Sequence, residues 1–185
     1  MKVLLNLDSL RGKTARLALW LSIIAVILVL DFYSKQWASQ ALELYRPKEV
    51  LSWLNLTLAH NYGAAFSFLS DQPGWQRWLF TILISVISVF LFAWLLQLPA
   101  RERVTGIALS LVLGGAIGNL IDRVTLGYVV DFIDVYRGDW HWPAFNVADS
   151  AISVGIALLL LDSLVLQRRR STGPDPEPAN EPGSE

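Results

Sequence analysis

The sequence has 185 residues, 54% of them hydrophobic, a formal charge of −1 and a mean hydropathy of +0.43. The length fits one domain, and the apolar content is high for a soluble one. The lack of cysteine excludes disulfides, thiolate metal sites and cysteine nucleophiles. Two histidines without an HExxH pattern argue against a histidine-rich zinc protease, and no basic run interleaved with aromatics points to nucleic acid.

Met1 to Arg16 is polar, with Lys2, Arg11, Lys13 and Arg16 against Asp8, and Leu17 to Leu30 is apolar throughout. A basic start before a short apolar run could be a cleavable signal peptide. Asp31, Phe32 and Tyr33 follow at once, however, with no A-x-A site, and three more apolar segments lie downstream. The stretch is therefore read as a retained first transmembrane helix, over about 16–33. Its apolar core is slightly short for the roughly 20 residues a bilayer needs, so Asp31 is expected at the membrane edge. Lys35 can reach it at i,i+4 on a continuing helix. The pair either merely ends the span or braces a site.

Trp53 to His60 alternates, with Leu54, Leu56 and Leu58 on one face and Asn55 and Thr57 on the other, which predicts a half-buried strand. Asn61-Tyr62-Gly63-Ala64-Ala65-Phe66 then supplies a turn and small residues where backbone can approach something closely. A small sheet on the membrane surface fits this stretch. Trp78 to Leu98 carries no charge and is the clearest span; Val104 onwards gives a third, over about 104–121, and Val147 to Leu166 a fourth. Gly114 and Gly118 form a GxxxG, read as a helix-packing face and not as a phosphate cradle. The last fifteen residues, rich in proline, hold four acids and no base, so the first 170 carry a net +3. Residues 171–185 are expected to be a disordered tail.

Basic residues cluster at the N-terminus, at Arg101 and Arg103, and at Arg168-Arg169-Arg170, all on one side of a four-span chain. The positive-inside rule makes that side cytoplasmic, with both termini there and both larger loops outside. Trp37, Trp75, Trp78, Trp140 and Trp142 fall near the outer boundary, where indoles favour the headgroup layer. The expected architecture is an all-α membrane protein of four transmembrane helices, with a small extracytoplasmic β-sheet between the first two spans and a membrane domain over 1–170.

Gly114 to Ser150 concentrates the polar groups: Asp122, Asp131, Asp134, Asp149, Asn119, Asn146 and Arg123 lie between apolar segments. Acids at a membrane edge are a functional-site hypothesis by default. The stretch 129–136 reads as extended, so Asp131 and Asp134 point to opposite faces and only one can belong to a given site. Asn146 and Asp149 have the spacing of an N-cap and its N3 partner. Two close carboxyls, on the other hand, share a proton and can work as general acid and base. Asn119 and Arg123, at i and i+4, either orient such a pair or end the third helix. Spacing alone leaves each of these alternatives open. Asp162, roughly 20 Å along the fourth helix from Asp149, cannot share the site and is read as an interfacial charge.

The order of motifs goes further. Asp31-Phe-Tyr-Ser-Lys35, Asn61-Tyr-Gly-Ala-Ala-Phe66, Gly118-Asn-Leu-Ile-Asp-Arg-Val124, Val129-Val-Asp-Phe132 and Phe145-Asn-Val-Ala-Asp-Ser150 resemble bacterial lipoprotein signal peptidase (signal peptidase II). The resemblance implies an integral-membrane aspartic endopeptidase of the bacterial inner membrane, needing no metal or cofactor. Asp131 and Asp149 would be its catalytic pair. Asn119, Asp122, Arg123 and Asn146 would support them, and Asp31, Lys35, Asn61 and Gly63 would belong to the outer substrate-binding region. The implied substrates are prolipoproteins, cut just before a diacylglyceryl-modified cysteine at membrane depth; a monomer among membrane lipids is expected. A proton-coupled transporter is the alternative, but it calls for acids spread along the spans, and these cluster at one face. A scaffold gives no reason for costly acids at the outer edge. A Ser34–Lys35 peptidase would need adjacent helical residues, which point about 100° apart.

Overall fold

A computed structural model describes residues 2–63 and 74–166. Ala64, Ala65 and Phe66 of the expected turn, the Arg168–Arg170 cluster and the acidic tail lie outside the described residues. Helix α1 (Lys2–Ala41) is followed by β1 (Lys48–Leu51), β2 (Leu54–Asn61), α2 (Trp75–Gln97) and α3 (Arg103–Thr125). Then come β3 (Val129–Arg137), β4 (Trp140–His141), α4 (Val147–Leu161) and a π-helical turn over Asp162–Leu166. Four helical stretches are long and apolar enough to cross a membrane: Gly12–Ala41, Trp75–Gln97, Arg103–Thr125 and Val147–Leu164. The chain is a multi-pass membrane protein of a mainly helical class.

The bundle is organised around α3, which packs against all three other helices. Of its most apolar window 61% is buried, against 11% for α2, whose Val86, Val89 and Phe90 point outward to lipid. Small residues make this possible, since helices in hydrocarbon gain by close backbone approach and not by hydrophobic burial. A Cβ added at Gly114 would lie 2.9 Å from Cβ of Ile27, and one at Gly115 would collide with the carbonyl oxygen of Ala148. Gly118 faces the Asp31 carboxylate, which a new Cβ would meet at 2.7 Å. The GxxxG is thus a seam against α1, and Gly115 is a second seam against α4. At one end of the bundle Trp20, Ile24, Leu95, Leu98, Leu109 and Leu113 form the apolar core.

At the other end lies an antiparallel sheet in the order β1-β2-β3-β4. Half of it comes from the α3–α4 connection, because the β-branched run of β3 needs a partner for its backbone and finds it in β2. Their register pairs Ala59 with Asp131 and Asn55 with Asp134, across an irregularity between Leu56 and Ala59. Leu58, Val130 and Phe132 pack with Ala38 of α1 in a second core. The polar face of β2 is not simply solvated: Asn55 Nδ2 and Thr57 Oγ1 donate to Asp134 at 3.0 and 3.4 Å.

Asp162 corrects the reading of an interfacial charge. It is 2% exposed, and its carboxylate accepts from Thr105 Oγ1 at 2.6 Å. Thr105 is in the first turn of α3, where the positive end of the helix dipole favours a carboxylate.

Gly118→Ala is expected to lower the melting temperature by about 4 °C or more, because Asp31 is held from two other sides and cannot retreat. Gly12→Ala, whose Cβ meets nothing within 4 Å, is expected to leave it unchanged. Thermal melts of the purified variants check both.

Candidate active site

Asp131 reaches its place through strand pairing, and Asp149 through a helix cap. Phe145 pairs with β3, its carbonyl accepting from Phe132 N and Ile133 N at 3.1 and 2.9 Å. That pairing sets Asn146 beside Asp131. Asn146 is also the N-cap of α4, closing a reciprocal capping box with Asp149 at N3. The bland reading of the Asn146–Asp149 spacing therefore holds, and it does not exclude the chemical one. The same contacts that start the helix bring Asp149 to Asp131.

Asn146 is fully buried. Its Nδ2 donates to Asp131 Oδ1 at 2.7 Å, to Val130 O at 3.2 Å and to Asn119 Oδ1 at 3.2 Å. Its backbone N–H donates to Asp149 Oδ2 at 3.2 Å. The second oxygens are engaged too: Asn61 Nδ2 donates to Asp131 Oδ2 at 3.0 Å, and Asn119 Nδ2 to Asp149 Oδ1 at 2.7 Å.

Around this centre sits a shell of charge. Lys35 is 4% exposed. Its ammonium contacts Asp31 Oδ2 at 2.7 Å, Asp122 Oδ2 at 2.9 Å and Asn119 Oδ1 at 3.0 Å, engaging all three of its hydrogens. The Asp31–Lys35 pair thus braces the site, because α1 continues past both residues to Ala41. Asp31 Oδ1 accepts from Ala148 N at 2.9 Å in the first turn of α4. Asp122 Oδ2 accepts from Val130 N at 3.1 Å and ties α3 to β3. The Arg123 guanidinium donates to Asn119 O and Gly63 O at 3.3 and 3.1 Å, and Gly63 N donates to Asn61 Oδ1 at 3.1 Å. The residues the sequence assigns to the site, from Asp31 and Lys35 to Asn146 and Asp149, join one hydrogen-bonded network, and Asp134, expected on the opposite face of its strand, stays outside it. Asp134 lies there, with His141 Nδ1 at 2.9 Å.

The two aspartates open onto a cavity of about 750 Å³ whose polar wall also includes Asn61, Asn119 and Arg123. Trp142 to Phe145 form a second wall, and Ile152, Ser153 and Val154 of α4 a third. A cavity with apolar sides and a few convergent polar groups is the expected form of a site for an amphipathic substrate.

The family model for signal peptidase (SPase) II matches residues 23–165. The chain belongs to the signal peptidase II family. A lipoprotein signal peptidase of Acinetobacter baumannii is 52% identical over 157 residues, which cover 85% of this chain and 89% of that protein. One from Photorhabdus laumondii is 47% identical over 146 residues, covering 79% and 87%. A bacterial membrane enzyme solved by the in meso method at 2.3 Å resolution superposes with a TM-score of 0.75 at 28% identity, over 86% of this chain and 95% of that one.

Within this signal peptidase II fold, one residue next to the site escaped the sequence reading. Arg77, at the start of α2, donates through Nε to Arg123 O at 2.8 Å and through Nη2 to Val124 O at 2.7 Å, capping the end of α3. Its only signal was a lone arginine opening an otherwise uncharged span. It clamps the carbonyl next to the guanidinium that lines the cavity.

Burial first, and the charge of Asp149 second, push the Asp131 carboxyl up from an ordinary 3.8 to about 7, against the lowering by hydrogen bonds from Asn61 and Asn146. A carboxyl whose pKa is higher folded than unfolded stabilises the fold at low pH. That stability falls as pH rises from about 4 through about 7. Asp131→Asn is therefore expected to flatten the dependence of melting temperature on pH across that window, measured between pH 4 and pH 8. An unchanged slope would show that Asp131 is not its source.

Proposed function

We propose that Asp131 and Asp149 are the catalytic pair of this signal peptidase II, an aspartic endopeptidase acting at the outer face of a bacterial inner membrane. As a member of the family the protein is a membrane peptidase that removes signal peptides from prolipoproteins. The observation that carries the residue assignment is the Asn146 bridge. It binds one carboxylate through its side chain and the other through its backbone, from a buried position behind the two aspartates that line the cavity.

The pair shares one proton near neutral pH; taking it on Asp131, whose carboxyl is raised to about 7, leaves Asp149 as the base. Asp149 removes a proton from water, the hydroxide adds to the scissile carbonyl carbon, and Asp131 gives its proton to the carbonyl oxygen. In the collapse of the resulting gem-diol, Asp149 delivers its proton to the leaving amine nitrogen. One hydroxyl proton returns to Asp131, the C–N bond breaks, and the pair is restored. Arg123 and Asn119 orient the dyad or meet substrate carbonyls, while Asn61 and Gly63 shape the outer substrate-binding region. Asp31, Lys35 and Asp122 hold the surrounding frame.

Cleavage just before a diacylglyceryl-modified cysteine fits a cavity that is polar around the aspartates and apolar along Trp142, Pro143, Phe145, Ile152 and Val154. Orientation follows the basic residues, with the Arg101–Arg103 turn and both termini cytoplasmic. We read residues 1–170 as a single peptidase domain working as a monomer among membrane lipids.

The deciding assay is cleavage of a diacylglyceryl-modified prolipoprotein by purified enzyme in detergent with EDTA present. Asp131→Asn and Asp149→Asn are expected to lose at least about a hundredfold in rate while staying folded. Asp134→Asn is expected to keep most activity. If Asp149→Asn lowers only the melting temperature and still cleaves, Asp149 is a helix cap and the pair lies elsewhere. For the wild type, kcat/KM is expected to fall above pH about 7 as Asp131 ionises. A pH profile from 5 to 9 checks this, its apparent constants belonging to the pair.

A further inference from the structure

A second cavity, of about 880 Å³, lies at the other end of the bundle, between the start of α1 and the α2–α3 connection. Along α1 its walls carry Lys13, Arg16, Leu17 and Trp20, and across from them stand Leu96 and Leu98. Lys13 and Arg16 are one turn apart, so both cations sit on the same face of the helix. Arg16 and Lys35 are separated by 19 residues on α1, roughly 28 Å, so the cavity is remote from the aspartates.

Two observations give this cavity a ligand chemistry. Arg16 Nε is buried and has no hydrogen-bond partner among the described residues. Buried donors are nearly always satisfied, so this one asks for an acceptor, and a guanidinium prefers an anion with several oxygens. The floor, by contrast, is apolar: Trp20 and Leu98 are 5% and 6% exposed. A free anion would lose water against that floor without recompense. A ligand anionic at one end and hydrocarbon at the other fits both halves. Arg101 and Arg103 on the adjoining turn, against Glu102 alone, add to the positive field.

We propose that this cavity binds the phosphate of an anionic phospholipid in the leaflet on the Arg101–Arg103 side. Lys13 and Arg16 hold the phosphate oxygens, and Leu17, Leu96 and Leu98 run beside the first methylenes of its acyl chains. The site is independent of the catalytic assignment and goes beyond it.

The test uses the full chain in a non-ionic detergent, with lipid binding followed by native mass spectrometry and thermal melts. Phosphatidylglycerol, phosphatidylcholine and inorganic phosphate are compared on the wild type, on the double variant Lys13→Gln, Arg16→Gln, and on Gly12→Phe. Gly12 lines the cavity, and its Cβ position meets nothing within 4 Å, so the phenylalanine fills the cavity and leaves both cations in place. The wild type is expected to retain one phosphatidylglycerol and to melt higher with it, while phosphatidylcholine has no such effect. Both variants are expected to bind it at least tenfold more weakly while eluting as wild type on size exclusion. If the double variant misfolds, Gly12→Phe decides. Equal retention by the variants, an equal effect of phosphatidylcholine, or a melt shift reproduced by millimolar phosphate alone would each overturn the proposal.

Discussion

The side-chain amide of Asn146 is the contact on which the rest of the site depends. It has two hydrogens and faces three acceptors, among them one oxygen of Asp131. Its own oxygen is taken by the backbone N–H of Asp149 at 2.9 Å. Fully buried, it has no water to fall back on, so its geometry is dictated by protein groups alone. A strand, the end of α3 and the start of α4 are thereby fixed against one another through a single planar group.

The charge around that group is weighted toward acid. Four carboxyls, at Asp31, Asp122, Asp131 and Asp149, surround the buried cations Lys35 and Arg123. In a low-dielectric setting such a surplus of acid is costly, and a proton retained on the dyad reduces it. Lys35 pairs with Asp31 and Asp122 at once and offsets one of their two charges, while Asp131 feels the charge of Asp149.

Much of this was legible in the chain. The four spans follow from apolar length, the β2 strand from its alternation over Leu54–Leu58, and the separation of Asp131 from Asp134 from strand periodicity. The Asp31–Lys35 contact and the Asn146–Asp149 cap were readable as local spacings. What local spacing could not supply was distance across the chain. Nothing near Asn61 says that it meets Asp131, since that depends on the register of β2 with β3 and on an irregularity within it. Arg77 and Asp162 were opaque for the same reason: each serves the end of a helix far away in sequence. The motif order of a family supplied what periodicity lacked.

The dispersal of the network along the chain has a consequence for synthesis. Its members run from Asp31 to Asp149, and its keystone, Asn146, comes near the end. Chains emerge and fold from the N-terminus, so three spans and most of the sheet are made before the two carboxyls can meet. A stalled or truncated product lacking the fourth span has Asp131 but no partner for it. With the proposed pair, proteolytic competence is deferred until the last membrane segment is threaded.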